Sequence, residues 1–205
     1  MDKILSSWLI ANGFSKQSKS IVGGVILFVF SHQARALIAL YILINCKCKI
    51  VTFILRRFLR SHYHIECSCK AIGSYFMLPH PHNIIIAAES IGDNVQINQN
   101  VTLGGNMRKT KQRPWGVQKL PILKNHVVIY SNAVVGGPVI VNEHVIIGAN
   151  CTCTHDVEAN TMLFNQNKVS TRKIEVLKGT YRTKESYGKN FKCNKCSVTF
   201  WWHNN

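Results

Sequence analysis

A six-residue repeat of apolar positions runs through the middle of the chain. Its leading residues are Ile91, Ile97, Leu123, Ile129, Val135, Val141, Ile147 and Cys153. Four positions after the later leading residues stand Val127, Ala133, Val139, Val145, Cys151 and Val157. A helix would repeat apolar residues at three and four, and an ordinary strand alternates at two. A period of six therefore predicts short strands joined by tight corners, three to a turn of a parallel β-helix.

The first third of the chain has helical rather than six-residue patterning. Apolar runs at residues 21–30 and 36–44 are each too short to span a bilayer, and polar residues separate them. Residues 50–59 combine an apolar face with a basic one, as interfacial helices do. We expect helices that pack on the next domain, and peripheral contact with a membrane is the alternative.

Charge divides the chain into three parts. The 205 residues carry a formal net charge of +16, and a hydrophobic content of 46% excludes a disordered chain. Basic and acidic residues number 10 and 2 in residues 1–70, 6 and 5 in 71–160, and 9 and 2 in 161–205. This predicts a helical, basic segment at 1–64, a β-helix domain at 65–163 and a basic tail at 164–205. Basic flanks favour phosphates or an anionic membrane face. The sequence has no motif that interleaves aromatic residues with these basic ones, so it does not favour nucleic acid as the partner.

The cysteines and histidines indicate the cellular compartment and whether the chain holds a metal site. Nothing at the N-terminus is typical of a secretory signal, so the eight cysteines favour a reduced, cytoplasmic setting. Cys193 and Cys196 form one C-x-x-C pair without a second, which is weak for zinc. His126 and His144 are one eighteen-residue coil apart and should stack at the same outward corner, whereas a zinc hydratase needs three converging histidines. We therefore expect no metal.

Several motifs in and before the repeat carry a family resemblance. They are LPHPHN at 78–83, IGDNV at 91–95, VTLGG at 101–105, IGAN at 147–150 and THDV at 154–157. Over about residues 60–160 the chain resembles the serine acetyltransferase family, and more closely the short serine-acetyltransferase-like enzymes of surface-polysaccharide gene clusters. The resemblance implies a left-handed parallel β-helix, a homotrimer and acetyl transfer from acetyl-CoA to a hydroxyl.

The resemblance also implies catalytic residues. Transfer to an alcohol requires removal of the hydroxyl proton, for which an imidazole is suited. His80 matches the family's catalytic histidine and is the expected general base. Glu66, the sole acidic residue between Asp2 and Glu89, is the expected carboxylate that orients it. His82 is the expected substrate-binding companion.

Coenzyme A contacts are expected at a loop and at corners. The loop at residues 106–120 carries five cations and no acid, and its Arg108 and Lys109 suit the coenzyme's phosphates. Three residues match corners where the family binds the pantetheine arm through backbone groups, namely Gly105, Ser131 and Ala149. Lys168 matches the lysine of the family's terminal segment. Tyr130 stands where the family has glycine, and residues 165–167 depart from its pattern.

Two departures bear on the acceptor. Leu120 precedes Pro121, where serine acetyltransferases carry a histidine, and those enzymes have a longer helical N-terminal domain. Both favour a sugar hydroxyl of a surface polysaccharide or its precursor. The alternatives are L-serine, in cysteine biosynthesis, and a catalytically inactive or phosphate-binding or nucleic-acid-binding scaffold.

Overall fold

The computed structural model describes residues 2–14, 21–106, 110–166, 168–173, 191–192 and 199–200. Helices come first in the chain. They are α1 (Lys3–Ala11), α2 (Ile21–Phe30), α3 (His32–Asn45) and α4 (Lys49–Tyr63). Asp2 and Ser31 accept hydrogen bonds from the amides of Ile4 and Ala34, which caps α1 and α3. The left-handed conformation of His64 ends α4.

Short strands follow the helices. They are β1 (Ile65–Cys67), β2 (Ile84–Ile86), β3 (Ser90–Ile91), β4 (Gln96–Ile97), β5 (Thr102–Gly104), β6 (Lys111–Arg113), β7 (Gly116–Gln118), β8 (Ile122–Leu123), β9 (Val128–Ile129), β10 (Val134–Gly136), β11 (Ile140–Val141), β12 (Ile146–Ile147), β13 (Thr152–Cys153), β14 (Thr161–Gln166), β15 (Lys168–Lys173), β16 (Phe191–Lys192) and β17 (Thr199–Phe200).

Three parallel sheets run the length of the repeat. The first sheet has the order β1-β2-β5-β10-β13, the second β3-β8-β11 and the third β4-β9-β12-β14. Partners in the late coils are eighteen residues apart, as in the pairs Ile122 with Ile140 and Val134 with Thr152. The predicted parallel β-helix with three strands to a coil is therefore confirmed. The antiparallel pair β14–β15 follows its last coil.

The interior of the β-helix is the ladder that the repeat predicts. All of the leading and partner residues of the repeat are buried, with at most 3% of their surface exposed. The same core continues into the helices through Trp8, Leu37, Leu40 and Leu59. Helices and β-helix thus bury one continuous apolar surface, and the division of the chain at residues 64 and 163 stays a prediction.

Two corners of the β-helix are built on residues with positive φ. We call the first the asparagine corner; it consists of Asn83, Asn100, Asn132 and Asn150. We call the second the histidine corner; its members are Tyr75, Asn94, His126, His144 and Asn160. Asparagine and histidine tolerate this conformation better than most residues. At the asparagine corner, the Asn100 amide donates to Asn132, and the Asn132 amide donates to Asn150.

The apolar N-terminal runs form two different kinds of helix. α3 is largely buried, as expected for a core helix, whereas α2 exposes one apolar face. No single described helix is long and apolar enough to cross a bilayer. α2 and α3, which are bent by 120° relative to each other, meet the length and hydropathy requirement only as a pair.

Candidate active site

His80 lies at the exposed tip of the loop that joins the third sheet to the first in the opening coil, residues 65–83. The loop turns sharply at Pro81, because the His82 amide donates to the His80 carbonyl at 2.8 Å. Among the described residues, the His80 ring has no hydrogen-bond partner. Its nitrogens are therefore accessible to a substrate hydroxyl.

Both ends of this loop are fixed by the N-terminal helices. On the near side, Asn12 accepts from the Leu78 amide at 3.1 Å, and Gln33 donates to the Leu78 carbonyl at 2.8 Å. On the far side, the Asn83 amide donates to the Tyr63 carbonyl at 2.9 Å. An exposed histidine between two fixed points can present its ring in a defined direction.

His82 is exposed like His80, but one face of its ring packs against the helices. Its ring stacks on His32, with centroids 5.1 Å apart, and lies 6.1 Å from the Tyr63 ring. Burial lowers the pKa of His32, and the neighbouring His82 and Arg35 lower it further. The His32 and Tyr63 rings thus contact the loop through His82. Substrate binding by His82 stays a prediction.

Glu66 lies on the outer face of the first sheet, beside Ile85 of the next coil. Its carboxylate pairs with Arg60 of α4 at 3.1 Å, and both side chains are more than half exposed. Within the described part of the chain, Glu66 makes no hydrogen bond to His80. The role of Glu66 as the orienting carboxylate stays a prediction.

The predicted cofactor corners fall on two edges of the first sheet. His82, Gln99, Ser131 and Ala149 each precede a residue of the asparagine corner, and amide-to-carbonyl bonds between successive coils stack them in one row. Three steps of about 4.8 Å make this row about 14 Å long. Gly105 lies at the opposite edge, where a side chain would meet the Lys119 carbonyl at 3.0 Å. Ser131 and Ala149 thus lie at the same edge as the loop that carries His80, and Gly105 does not.

The insertion at residues 106–120, expected as a loop, contains the hairpin β6–β7, which is held against the β-helix. Asp156 accepts from Arg113 at 2.8 Å and from Lys111 at 2.6 Å, and its carboxylate also accepts from the Ile140 amide. Burial alone would raise the pKa of Asp156, but the hydrogen bonds from Arg113 and Lys111 lower it to about 2. Two of the five loop cations therefore neutralise a carboxylate of the same chain.

Three predicted coenzyme contacts cannot be placed. Arg108 and Lys109 lie outside the described residues. Lys168 begins β15, whose side chains are likewise outside the description. Cys193 and Cys196 also fall outside the described residues. These assignments stay predictions.

A cleft of about 630 Å³ lies between the hairpin and the second sheet. Trp115, 61% exposed, stands at one side, with Lys70, Glu89 and Lys119 among the polar lining. The Glu89 carboxylate accepts from the Lys119 amide at 2.9 Å. An exposed indole beside hydrogen-bonding groups suits a flat hydroxylated ligand.

His126 and His144 stack at the histidine corner as predicted, with ring centroids 4.9 Å apart. Burial lowers the pKa of both rings, and for His126 the nearby His144 lowers it further. No group of three or more histidine, cysteine or acidic side chains in the described ranges is arranged to hold a metal ion.

The sequence-based interpretation missed the residues that fix the His80 loop. Asn12, Trp8 and Gln33 lie in the helical third, and each hydrogen-bonds a carbonyl of the first coil. Their only sequence signal is that they are polar or aromatic positions within apolar helices. That signal identifies an unusual residue but does not identify its partner.

Comparisons with known proteins agree with this geometry. The chain is 33% identical over 97 residues to a plasmid-encoded serine acetyltransferase of Synechococcus elongatus, a match that covers 45% of this chain. The chain is serine acetyltransferase-like. The aligned part spans 30% of that relative's length, and no family model matches the chain.

Solved serine acetyltransferases share the fold of this serine acetyltransferase-like chain. The Neisseria gonorrhoeae enzyme superposes with a TM-score of 0.64 at 18% identity, over 85% of this chain and 69% of that one. Isoform 3 from Entamoeba histolytica, solved with cysteine, gives 0.61 at 21% identity, over 84% and 61%. At such identities, the likeness is evidence for the fold alone.

Proposed function

We propose that this protein is an acetyl-CoA-dependent O-acetyltransferase in which His80 is the general base. The observation that carries the proposal is the exposed His80 ring, held between two anchored points at the end of a row of corner residues, on a serine acetyltransferase-like fold. A left-handed coil and a homotrimeric assembly belong to the same proposal, as does its location in the cytoplasm.

The chemistry proceeds within a ternary complex. His80 takes the acceptor's hydroxyl proton as that oxygen attacks the thioester carbonyl carbon. The tetrahedral intermediate then collapses, the carbon–sulfur bond breaks, and the coenzyme A thiolate leaves. Protonated His80 returns a proton to that sulfur, so the enzyme ends in its starting state. The acetyl group ends as an ester of the acceptor oxygen, and no metal or redox step is needed for the balance.

The acceptor that we propose is a sugar hydroxyl. The exposed Trp115 in the cleft beside Glu89 supports it, because indole faces pack well on sugar rings. Within one chain this cleft and His80 lie at opposite edges of the first sheet, so in the proposed homotrimer the cleft would serve the His80 of a neighbouring copy. Leu120 supports it too, since this position lacks the histidine that the serine-specific enzymes carry.

L-Serine is the second candidate acceptor. The sequence relative is named as a serine acetyltransferase, and so are the solved structures that share the fold. Free serine would need no aromatic platform, so the Trp115→Ala variant separates the two acceptors. It should weaken transfer to a sugar and leave transfer to L-serine unchanged.

Thiol release from acetyl-CoA tests the proposal. We expect turnover with one acceptor class in a panel of hexoses, amino sugars and L-serine. His80→Ala should lower kcat by about 10²- to 10⁴-fold, because it removes the general base. His155→Ala, which removes another exposed histidine, is the matched control and should retain activity. Equal rates for His80→Ala and wild type would contradict the role of His80. Absence of both turnover and coenzyme A binding would favour a scaffold.

A further inference from the structure

α2 exposes a continuous apolar face. Its exposed positions recur at one helical face, and their exposed fractions run from 48% to 82%. They are Ile21, Val22, Val25, Ile26, Val29 and Phe30. The opposite face, at Gly23, Gly24 and Leu27, is buried against the protein. A helix that is apolar on both faces needs a second apolar environment, because patches of this kind mark sites of association.

The orientation of this face is fixed by α3. Arg35 donates to the carbonyls of Phe28 and Val29 at 2.7 and 2.6 Å, which satisfies the C-terminal end of α2. Phe28 also contacts Phe58 of α4, with ring centroids 6.4 Å apart. The apolar face is therefore presented by a helix that is anchored at its end and at its buried side.

α4 adds a second exposed apolar patch together with cations. Ile50, Phe53 and Ile54 of its first half are 72%, 68% and 59% exposed. Arginines follow at positions 56, 57 and 60, and Lys49 starts the helix. An amphipathic helix with large apolar residues and a basic complement is typical of segments that lie in a lipid interface.

Charge identifies the occupant of this surface. Residues 3–65 contain nine Lys and Arg and no Asp or Glu. Glu66 neutralises Arg60, but a second copy docked face to face would bring the remaining cations together, which is unfavourable. An anionic bilayer instead offers lipid tails for the apolar side chains and headgroup phosphates for the cations.

We propose that the exposed faces of α2 and α4, together with the cations of α4, are a docking surface for an anionic lipid bilayer. The protein is then peripheral, with the apolar side chains of α2 inserted at the boundary of headgroups and acyl chains. This inference does not depend on the proposed catalytic activity.

Vesicle co-sedimentation of the full chain tests the proposal. We expect binding to vesicles of phosphatidylcholine mixed with phosphatidylglycerol, and much weaker binding to phosphatidylcholine alone. Ile26→Gln with Phe30→Gln should lower the partition coefficient at least about tenfold, because two large apolar side chains no longer insert. Val134→Gln, an equivalent change on the first sheet, is the matched control. Lys49→Gln and Arg57→Gln should each lower binding to anionic vesicles about fivefold.

The outcomes separate lipid from other occupants. Equal sedimentation of wild type and the Ile26/Phe30 variant would overturn the proposal. The proposal would also be overturned if wild-type protein did not bind anionic vesicles and the Ile26/Phe30 variant changed its oligomeric state. The apolar face of α2 would then be an interface between copies of the chain. Circular dichroism and size-exclusion profiles of the variants show whether each is folded, and a second pair, Val25→Gln with Val29→Gln, repeats the test on the same face.

Discussion

Asp156 is the residue whose charge ties the hairpin to the last coils. It accepts from Arg113, Lys111 and the Ile140 amide, and its pKa falls to about 2. We predict that Asp156→Asn lowers the free energy of unfolding at neutral pH by about 1 kcal/mol. The carboxylate is 33% exposed, so solvent screening reduces what the pKa shift alone would suggest. Urea unfolding measures it.

The pH dependence gives this prediction its sign. The folded-state pKa of Asp156 is below the value of 3.8 expected when unfolded, so its stabilisation is present above pH 3.8. It is lost as pH falls through about 2, and the difference between wild type and Asp156→Asn should vanish there. Glu143→Gln, which removes an exposed acid without an ion pair in the described residues, should show no such convergence.

Inward residues could be predicted from the sequence, and outward polar partners could not. The period of six predicts burial of Leu123, Ile129 and Val135 because inward positions recur regardless of the rest of the fold. The pairing of Asp156 with Arg113 depends on the path of an insertion that breaks the period. Glu66 illustrates the same limit, since proximity in sequence did not reveal its Arg60 partner.

The histidine corner connects successive coils through stacked rings. Burial lowers the pKa of His126 and His144. The unfolded chain therefore binds protons more readily, and stability should fall as pH drops below 6.5 toward the folded-state values. We predict that the double variant His126→Asn with His144→Asn loses less of its thermal midpoint between pH 7 and pH 5 than wild type does.

Asparagine is the matched replacement at this corner. Asn94 and Asn160 already occupy it in other coils with φ of 55° and 56°, so the backbone conformation is retained. Replacement of the exposed His155 by Asn is the control for loss of a histidine elsewhere on the surface. If the double variant has the wild-type slope between pH 7 and pH 5, the stacked pair does not titrate with unfolding.

Element types were predictable where one pattern extended over many residues. The basic, amphipathic pattern at 50–59 gave α4, and the repeat gave the three sheets. The β6–β7 hairpin within the insertion was expected only as a loop, because Gly116 and its neighbours carry too short a pattern. The exposed face of α2 was not foreseen, since apolar residues on both faces of a helix look the same in sequence.

At the scale of the whole molecule, the N-terminal helices close the end of the β-helix that carries His80. Trp8 donates to the Gly73 carbonyl at 2.6 Å, and the Ser7 hydroxyl accepts from the Tyr75 amide. These contacts join residues more than sixty positions apart, and they form only when the N-terminal helices pack on the first coil of the β-helix. No periodicity within either pattern encodes them, so the site could be predicted only as far as His80 itself.

Asn12 is the centre of this contact and gives the last prediction. It donates to the Phe76 carbonyl and accepts from the Leu78 amide, two residues before His80. In Asn12→Ala both groups lose their partner, which should lower the free energy of unfolding by about 1–3 kcal/mol. If His80 is the base, the loosened loop should also lower kcat about tenfold, with little change in KM for acetyl-CoA.

Asn45→Ala is the matched control, because among the described residues the Asn45 side chain bonds only within α3, to the Tyr41 carbonyl. A loss of stability with unchanged kcat would show that Asn12 supports the fold without positioning His80. A rise in KM alone would instead indicate an effect on coenzyme binding along the row that contains Ser131 and Ala149.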